Sequence, residues 1–253
     1  MLSQPNSPSP PARQHPRPRR DAILKAALSE FAQEGLAGAR MDAIAETAGV
    51  NKALLYYYFR DKEALYGAVL DGFFLLLTRR VIAELESGAP AGNRVLRYTR
   101  AHFDSIAESP HYARIFQSEL MSAGRGESPH LSRIVEEHIR PIATRLIAVL
   151  KEGIASGEFR AVDPFQFAPS IAAINVHYFV IAPVARKLFD RDPYSPEAIA
   201  ERRSAVLDFI AAALFADRTH GIKLAKEVAM GDQPPPAPAG TKSARSHKQG
   251  KRP

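Results

Sequence analysis

The 253 residues carry 34 Lys+Arg against 27 Asp+Glu, a formal net charge of +7, with no Cys and no Trp. The missing cysteine excludes a disulfide framework, a thiolate zinc site and a cysteine nucleophile, and fits a reducing compartment. Hydrophobic residues make up 45%, enough for a sizeable core, while the longest apolar runs, Ile171 to Val176 and Tyr178 to Val184, fall short of the ~20 residues of a membrane helix. The expectation is a soluble chain of one large or two modest domains, with no membrane partner.

The positive charge sits in the tails. Residues 1–20 hold Arg13, Arg17, Arg19 and Arg20 without an acid, and residues 231–253 hold Lys242, Arg245, Lys248, Lys251 and Arg252 against Asp232, so each tail is +4 and the body between them is −1. Six prolines before residue 20 and five after residue 230, with no apolar period, predict a disordered basic arm over 1–19 and a disordered basic tail over 231–253. No apolar stretch follows the N-terminal charges as it would in a secretory signal. A cytoplasmic location is the expectation.

Between the tails the period is helical. Ile23, Leu24, Ala27, Leu28 and Phe31 share one face of a helix over about 21–34, which Gly35 closes. A short set, Met41, Ile44, Ala45 and Ala48, runs into Gly49. A second set, Leu54, Leu55, Tyr58 and Phe59, follows Asn51 as N-cap. A long helix begins near Asp61 or Lys62 with Leu65, Val69, Leu70, Phe73, Leu76 and Leu77 on its face. Shorter helices are predicted over 92–108 and about 110–122. Ser128-Pro129, Asp163-Pro164 and Ser195-Pro196 each pair an N-cap with a proline at the first helical position; they open helices through Leu150, Phe189 and Leu214. No stretch alternates with the period of a strand. The fold class is all-α with about nine or ten helices.

Residues 38–60, GARMDAIAETAGVNKALLYYYFR, have the spacing of a helix-turn-helix over about 41–60, with Gly49 relieving the turn and Ala45 permitting close packing. Leu54, Leu55 and Phe59 point inward with Ile44, Ala48 and Val50, which leaves Lys52, Ala53, Tyr56 and Tyr57 exposed and Tyr58 at the edge. The major groove admits such a helix, and a phenol hydroxyl can donate to a phosphate while its ring braces the backbone.

GVNKALLYYYFRDKEAL, residues 49–65, resembles the helix-turn-helix and following helix of TetR-type transcriptional regulators. Gly49, Val50, Lys52, Leu55, Tyr56, Tyr58, Phe59, Lys62, Glu63 and Leu65 stand in register with that pattern, and Ala26 to Phe31, Gly35, Ile44, Ala45 and Ala48 fall where the family's first two helices need them. The sequence departs where the family usually caps its second helix with Ser or Thr, for Ala39 and Arg40 stand there, so the cap must come from elsewhere. The resemblance implies a DNA-binding domain over 20–70 in which Lys52 and Ala53 face base edges, Tyr56, Tyr58 and Lys62 hold phosphates with Tyr57 beside them, and Arg40 or Met41 approaches the backbone. Residues 21–65 hold five basic and seven acidic residues, so this head must rely on a few placed donors, with Arg19 and Arg20 of the arm beside them.

Over 71–230 the resemblance is looser and implies a helical ligand-binding and dimerisation domain. The stretch from Gly157-Glu158-Phe159 to Asp163-Pro164, together with Arg114 to Glu119 and His177-Tyr178 to Ala182-Pro183, is similar to the branch that contains the pyrimidine-utilisation repressor; no ligand is carried over from it. By the family's architecture the helices at about 164–189 and 196–217 form a four-helix interface in a homodimer, with Ala172, Ala173, Ala211, Ala212 and Ala213 allowing close approach and Phe209, Ile210 and Leu214 adding area. A pocket for a small-molecule effector is expected from His102, Phe103, Phe116, Phe167, Asn175, His177 and Tyr178. The function implied is a ligand-responsive repressor on a palindromic double-stranded DNA operator. The alternative is an architectural DNA binder working through its basic tails. An enzyme is not expected: no glycine-rich phosphate loop, Gly-x-Ser-x-Gly or His-Glu-x-x-His is present, Glu136, Glu137 and His138 are adjacent and point different ways, and no catalytic residue, metal or cofactor is assigned.

Overall fold

A computed structural model of the chain describes residues 16–231, apart from 125 and 127. The expected arm and tail lie outside the described residues, with two exceptions: residues 16–19 are helical, and Gly231 caps the last helix with φ 66°. α1 (Pro16–Gly38) thus starts earlier than the composition suggests, because a first helical turn tolerates Pro16 and Pro18, having no N–H partners to lose there. It kinks where Gly35 takes φ 68°, the break that the sequence predicts.

α2 (Met41–Thr47), α3 (Lys52–Tyr58) and α4 (Lys62–Leu85) follow. Gly49 turns the chain between α2 and α3 at φ 65°, a conformation that a Cβ disfavours. The Asn51 side chain accepts the Leu54 N–H at 2.7 Å and Asp61 accepts the Ala64 N–H at 2.7 Å. Of these three helix starts the one without a side-chain cap, at Arg40, is held from another element: Glu30 of α1 accepts the Arg40 backbone N–H at 3.1 Å. α4 crosses residues 70 and 71 without a break and so belongs to both halves of the molecule.

The body comprises α5 (Ala91–Ala107), α6 (His111–Ala123), α7 (Pro129–Ile134), a π turn (Val135–Ile139), α8 (Arg140–Ala155), α9 (Pro164–Val180), α10 (Ala182–Phe189), α11 (Pro196–Leu214) and α12 (Arg218–Met230). α5 is its axis, packed against α4, α8, α9, α11 and α12, and it buries residues on all sides from Ala91 to Ile106. Among the described residues the sole strand-like feature is the isolated pairing of Phe159 with Phe215, which ties the chain after α8 to the chain after α11. Their rings meet edge to face at 5.3 Å, and a Cβ on Gly153 would overlap the Phe159 ring.

Three expectations are corrected here. The stripe from Leu131 to Leu150 is interrupted by the π turn, because Pro141 lacks an N–H and its ring clashes with the carbonyl four residues back. The single helix expected over 164–189 bends by 60° between α9 and α10 for the same reason at Pro183. α12, absent from the sequence reading, covers α11 and α5; Ile210, Ala211 and Leu214 are consequently 2%, 0% and 0% exposed within one chain and are not available to a partner. Among the described residues no single helix is long and apolar enough to cross a membrane.

Candidate DNA interface and ligand cavity

The outward side of the helix-turn-helix presents the residues expected there, with two changes. Ala53, Tyr56 and Tyr57 are exposed, as is Arg40, and Tyr58 is half-buried. Tyr57, 80% exposed, stands edge-on to the Tyr58 ring at 5.4 Å. Lys52, at the first position of α3, pairs with Asp42 of α2 at 2.7 Å. The hydrogen bond and charge of each raise the lysine above and hold the carboxyl below their ordinary ranges. Both ends of this pair are exposed, so exchanging Asp42 for another acceptor costs little.

Met41 is the first correction: it is 9% exposed and belongs to the head's core with Ile44 and Ala45, because the inward face of α2 begins at its first residue. Lys62 is the second. Its ammonium donates to the carbonyls of Ala37 and Ala39 at 2.9 and 3.0 Å, tethering the end of α1 to the start of α4 rather than facing outward. Two arginines of the basic arm are also placed. Arg20 lies over the Phe59 ring at 5.4 Å, and Arg19 lines a groove with Ala48, Gly49, Asn51 and Leu54, beside the N-terminus of α3.

The second site is a cavity of about 360 Å³ enclosed by α4, α5, α6, α8 and α9, with walls that include Phe73, Phe74, Ile142, Leu146 and Val176. Of the expected pocket residues, His102 and Phe116 line it. The others do not. Phe103 and Tyr178 join a separate cluster around Phe179, where the Tyr178 hydroxyl donates to the Pro193 carbonyl at 2.7 Å. Phe167 packs on the main core, and His177 is exposed. Asn175 stands behind the wall, in contact with His102. Its Nδ2 donates to the Thr99 carbonyl at 3.0 Å and to His102 Nδ1 at 3.0 Å, which leaves its buried Oδ1 without a partner among the described residues.

Burial pushes His102 down to about 4, so the ring is neutral at pH 7. With Nδ1 accepting from Asn175, the ring proton resides on Nε2. Tyr98 stacks on His102 at 5.9 Å and 16°; burial raises its phenol, and its hydroxyl has no hydrogen-bond partner among the described residues. Tyr112, stacked on Phe73 at 4.1 Å, completes the polar set. Sequence reasoning missed Tyr98 and Tyr112. The signal was present as aromatic and imidazole groups four residues apart, Tyr98 with His102 and Tyr112 with Phe116, each pair on one face of its helix.

The two sites are joined by α6. It packs on α1 and on α9, contributes Tyr112, Ala113 and Phe116 to the cavity, and carries the buried Glu119, which accepts the Tyr66 hydroxyl of α4 at 2.7 Å and also the Ser128 hydroxyl. Further pairs hold α4 to α7: His130 with Glu63 at 2.8 Å and Arg133 with Asp71 at 2.6 Å.

Residues 23–69 match the family of bacterial regulatory proteins described as tetR, and residues 93–210 match a tetracyclin repressor-like C-terminal domain. The chain is 32% identical over 165 residues to the HTH-type transcriptional regulator RutR of Escherichia coli K12, spanning 65% of this chain and 76% of that one. A solved structure of the ketosteroid transcriptional regulator KstR2 of Mycobacterium tuberculosis superimposes with a TM-score of 0.65 at 24% identity, over 79% of this chain and 96% of that chain. A putative transcriptional regulator of Streptomyces coelicolor, SCO4942, gives 0.53 at 29%, over 76% and 97%. A helix-turn-helix with an open outer face, a helical body and these matches agree: the chain belongs to the TetR family of bacterial transcriptional regulators.

Proposed function

We propose that the chain is a ligand-responsive repressor that binds a palindromic operator as a homodimer, with residues 20–70 as the DNA-reading head and residues 71–230 as the ligand-binding and dimerisation body. The observation that carries this reading is the double duty of α6, one helix that is both cavity wall and a packing partner of the head's α1 and, through Glu119, of α4. A ligand that fits the cavity better with α6 or α4 displaced shifts the population toward heads that no longer match the operator. The coupling need supply only ~1–3 kcal/mol. The protein acts by binding in the cytoplasm, without a catalytic step or cofactor.

A second copy is the partner that the exposed apolar side chains favour. Val184, Leu188 and Phe189 of α10 are 64%, 69% and 70% exposed, and Phe165 of α9 and Phe209 of α11 are 61% and 60%. An apolar set of this kind marks an interaction face, and a two-fold pairing there sets two copies of α3 about 34–36 Å apart, or a multiple of that.

Footprinting of a genomic library at two salt concentrations tests the proposal. A discrete palindrome retained at the higher salt is expected, while uniform retention of all fragments supports architectural binding instead. Sedimentation velocity of Leu188→Ser with Phe189→Ser completes the test: the wild type is expected to be a dimer and the variant a monomer, and a monomeric wild type would remove the two-fold reading.

A further inference from the structure

The cavity wall carries chemistry that narrows what can occupy it. Among the described residues no Asp, Glu, Lys or Arg lines it; its polar groups are Tyr98, His102 and Tyr112. His102 is held in one orientation and one tautomer by the Thr99–Asn175 pair. Asn175 Nδ2 must face the Thr99 carbonyl, because reversing the amide would set two acceptors against each other. The second amide proton then reaches His102 Nδ1, which leaves Nε2–H as the ring's one donor. The Tyr98 hydroxyl, stacked beside the imidazole, is a second group without an internal partner. This polar pair sits on α5, the buried axis of the body, whereas Phe165 at the cavity rim is 61% exposed and has Lys151 over its outer ring at 5.2 Å.

We infer that the cavity takes a neutral, mostly hydrocarbon molecule carrying a carbonyl oxygen, and that His102 Nε2–H, positioned by Asn175, donates to that oxygen. The inference rests on the ligand-responsive reading for its biological sense, though not for its chemistry. A carboxylate at the His102 end would be buried against a neutral donor with no cation, whereas a ketone or ester oxygen replaces a water hydrogen bond with an equivalent one and leaves its chain against apolar walls. The depressed basicity of His102 adds to this, because the ring supplies a donor without a positive charge at pH 7.

The test is equilibrium dialysis of the full chain at pH 8 with radiolabelled dodecan-2-one and dodecanoate, which share a chain length and differ in the charge at one end. Dodecan-2-one is expected to bind about tenfold or more tightly than dodecanoate, as a site with a neutral buried donor demands. His102→Leu is expected to lose most of that preference, and His102→Gln, which retains a neutral N–H donor, to keep more of it. Dodecanoate binding as tightly as the ketone, for instance by placing its head at Lys151, overturns the assignment, as do failure of dodecan-2-one to bind the wild type and a His102→Leu variant with undiminished preference. Should His102→Leu not fold, the wild-type comparison and His102→Gln still decide. Operator affinity measured with and without the ketone separates the two readings: a ketone that binds as expected but leaves operator affinity unchanged upholds the cavity chemistry and removes ketone-driven induction.

Discussion

At the scale of single residues, Lys52 and Lys62 show how the same side chain serves two purposes ten residues apart. Lys52 is held by an exposed partner, Asp42, that a base acceptor can replace, so Lys52→Ala is expected to relax sequence preference by lowering operator affinity more than affinity for scrambled DNA. Asp42→Asn is expected to tighten both several-fold, since it frees the ammonium and removes an anion near the duplex. Fluorescence anisotropy on the two duplexes measures each; equal losses on both for Lys52→Ala would sink its role as a reader. Lys62 is spent on the Ala37 and Ala39 carbonyls. Lys62→Met should therefore cost about 1–3 kcal/mol of stability, read as a lower urea midpoint, with the salt dependence of DNA binding unchanged. The motif that placed Lys52 was legible because cap, turn and inward residues lie within a dozen positions of one another. The fate of Lys62 was not, since its acceptors arrive from the far end of α1, more than twenty residues upstream, and Met41 likewise depends on how α2 closes against α1. In the cavity, Phe103 and Phe116 look alike in sequence, and only the packing of α9 decides which one faces the void.

At the scale of elements, α6 is the joint on which the proposed response depends. Tyr66→Phe removes one of the two hydroxyls that reach the buried Glu119 carboxyl while preserving the ring contact of Tyr66 with Phe31 at 4.9 Å. It is expected to cost about 1–3 kcal/mol of stability and to reduce the effect of a bound ligand on operator affinity, with ligand affinity itself nearly unchanged. Thermal unfolding and operator titrations with and without ligand check both halves; unaltered coupling would show that the α4–α6 bond is structural only. The helices that frame this joint were readable where a cap announced them: Asn51, Asp61, Ser128, Asp163 and Ser195 all accept a backbone N–H at the helix starts predicted. What escaped was the effect of a proline within an apolar run. Pro141 and Pro183 each interrupt a stripe whose periodicity continues past them, because periodicity reports burial and not the hydrogen-bond ladder. α12 escaped for the opposite reason, having only a short apolar face, Leu224, Ala225 and Val228, that gains meaning once α5 and α11 are there to receive it.

At the scale of the whole molecule, the +7 net charge suggests a basic protein, yet the buried axis around α5 answers to pH through a base kept neutral. His102 is pushed down to about 4 from an ordinary 6.5, and burial also lowers His138. A folded-state value below the unfolded one means that the unfolded chain takes up the proton first. The contribution is therefore fully present above pH 6.5 and is lost as pH falls toward 4. For His102 the gap corresponds to a loss on the order of 3 kcal/mol. Carboxylates held low by partners, such as Asp61 and Glu136, weaken over an overlapping acid range, so the decisive quantity is the difference between two proteins. His102→Gln keeps a neutral donor at every pH, and is expected to be less stable than the wild type at pH 8, where the Asn175 contact is disturbed, but to lose less stability between pH 7 and pH 4. Urea unfolding at half-unit pH steps measures the two slopes. Parallel curves would mean that the acid sensitivity originates at other groups and that His102 takes up its proton in the folded state without cost.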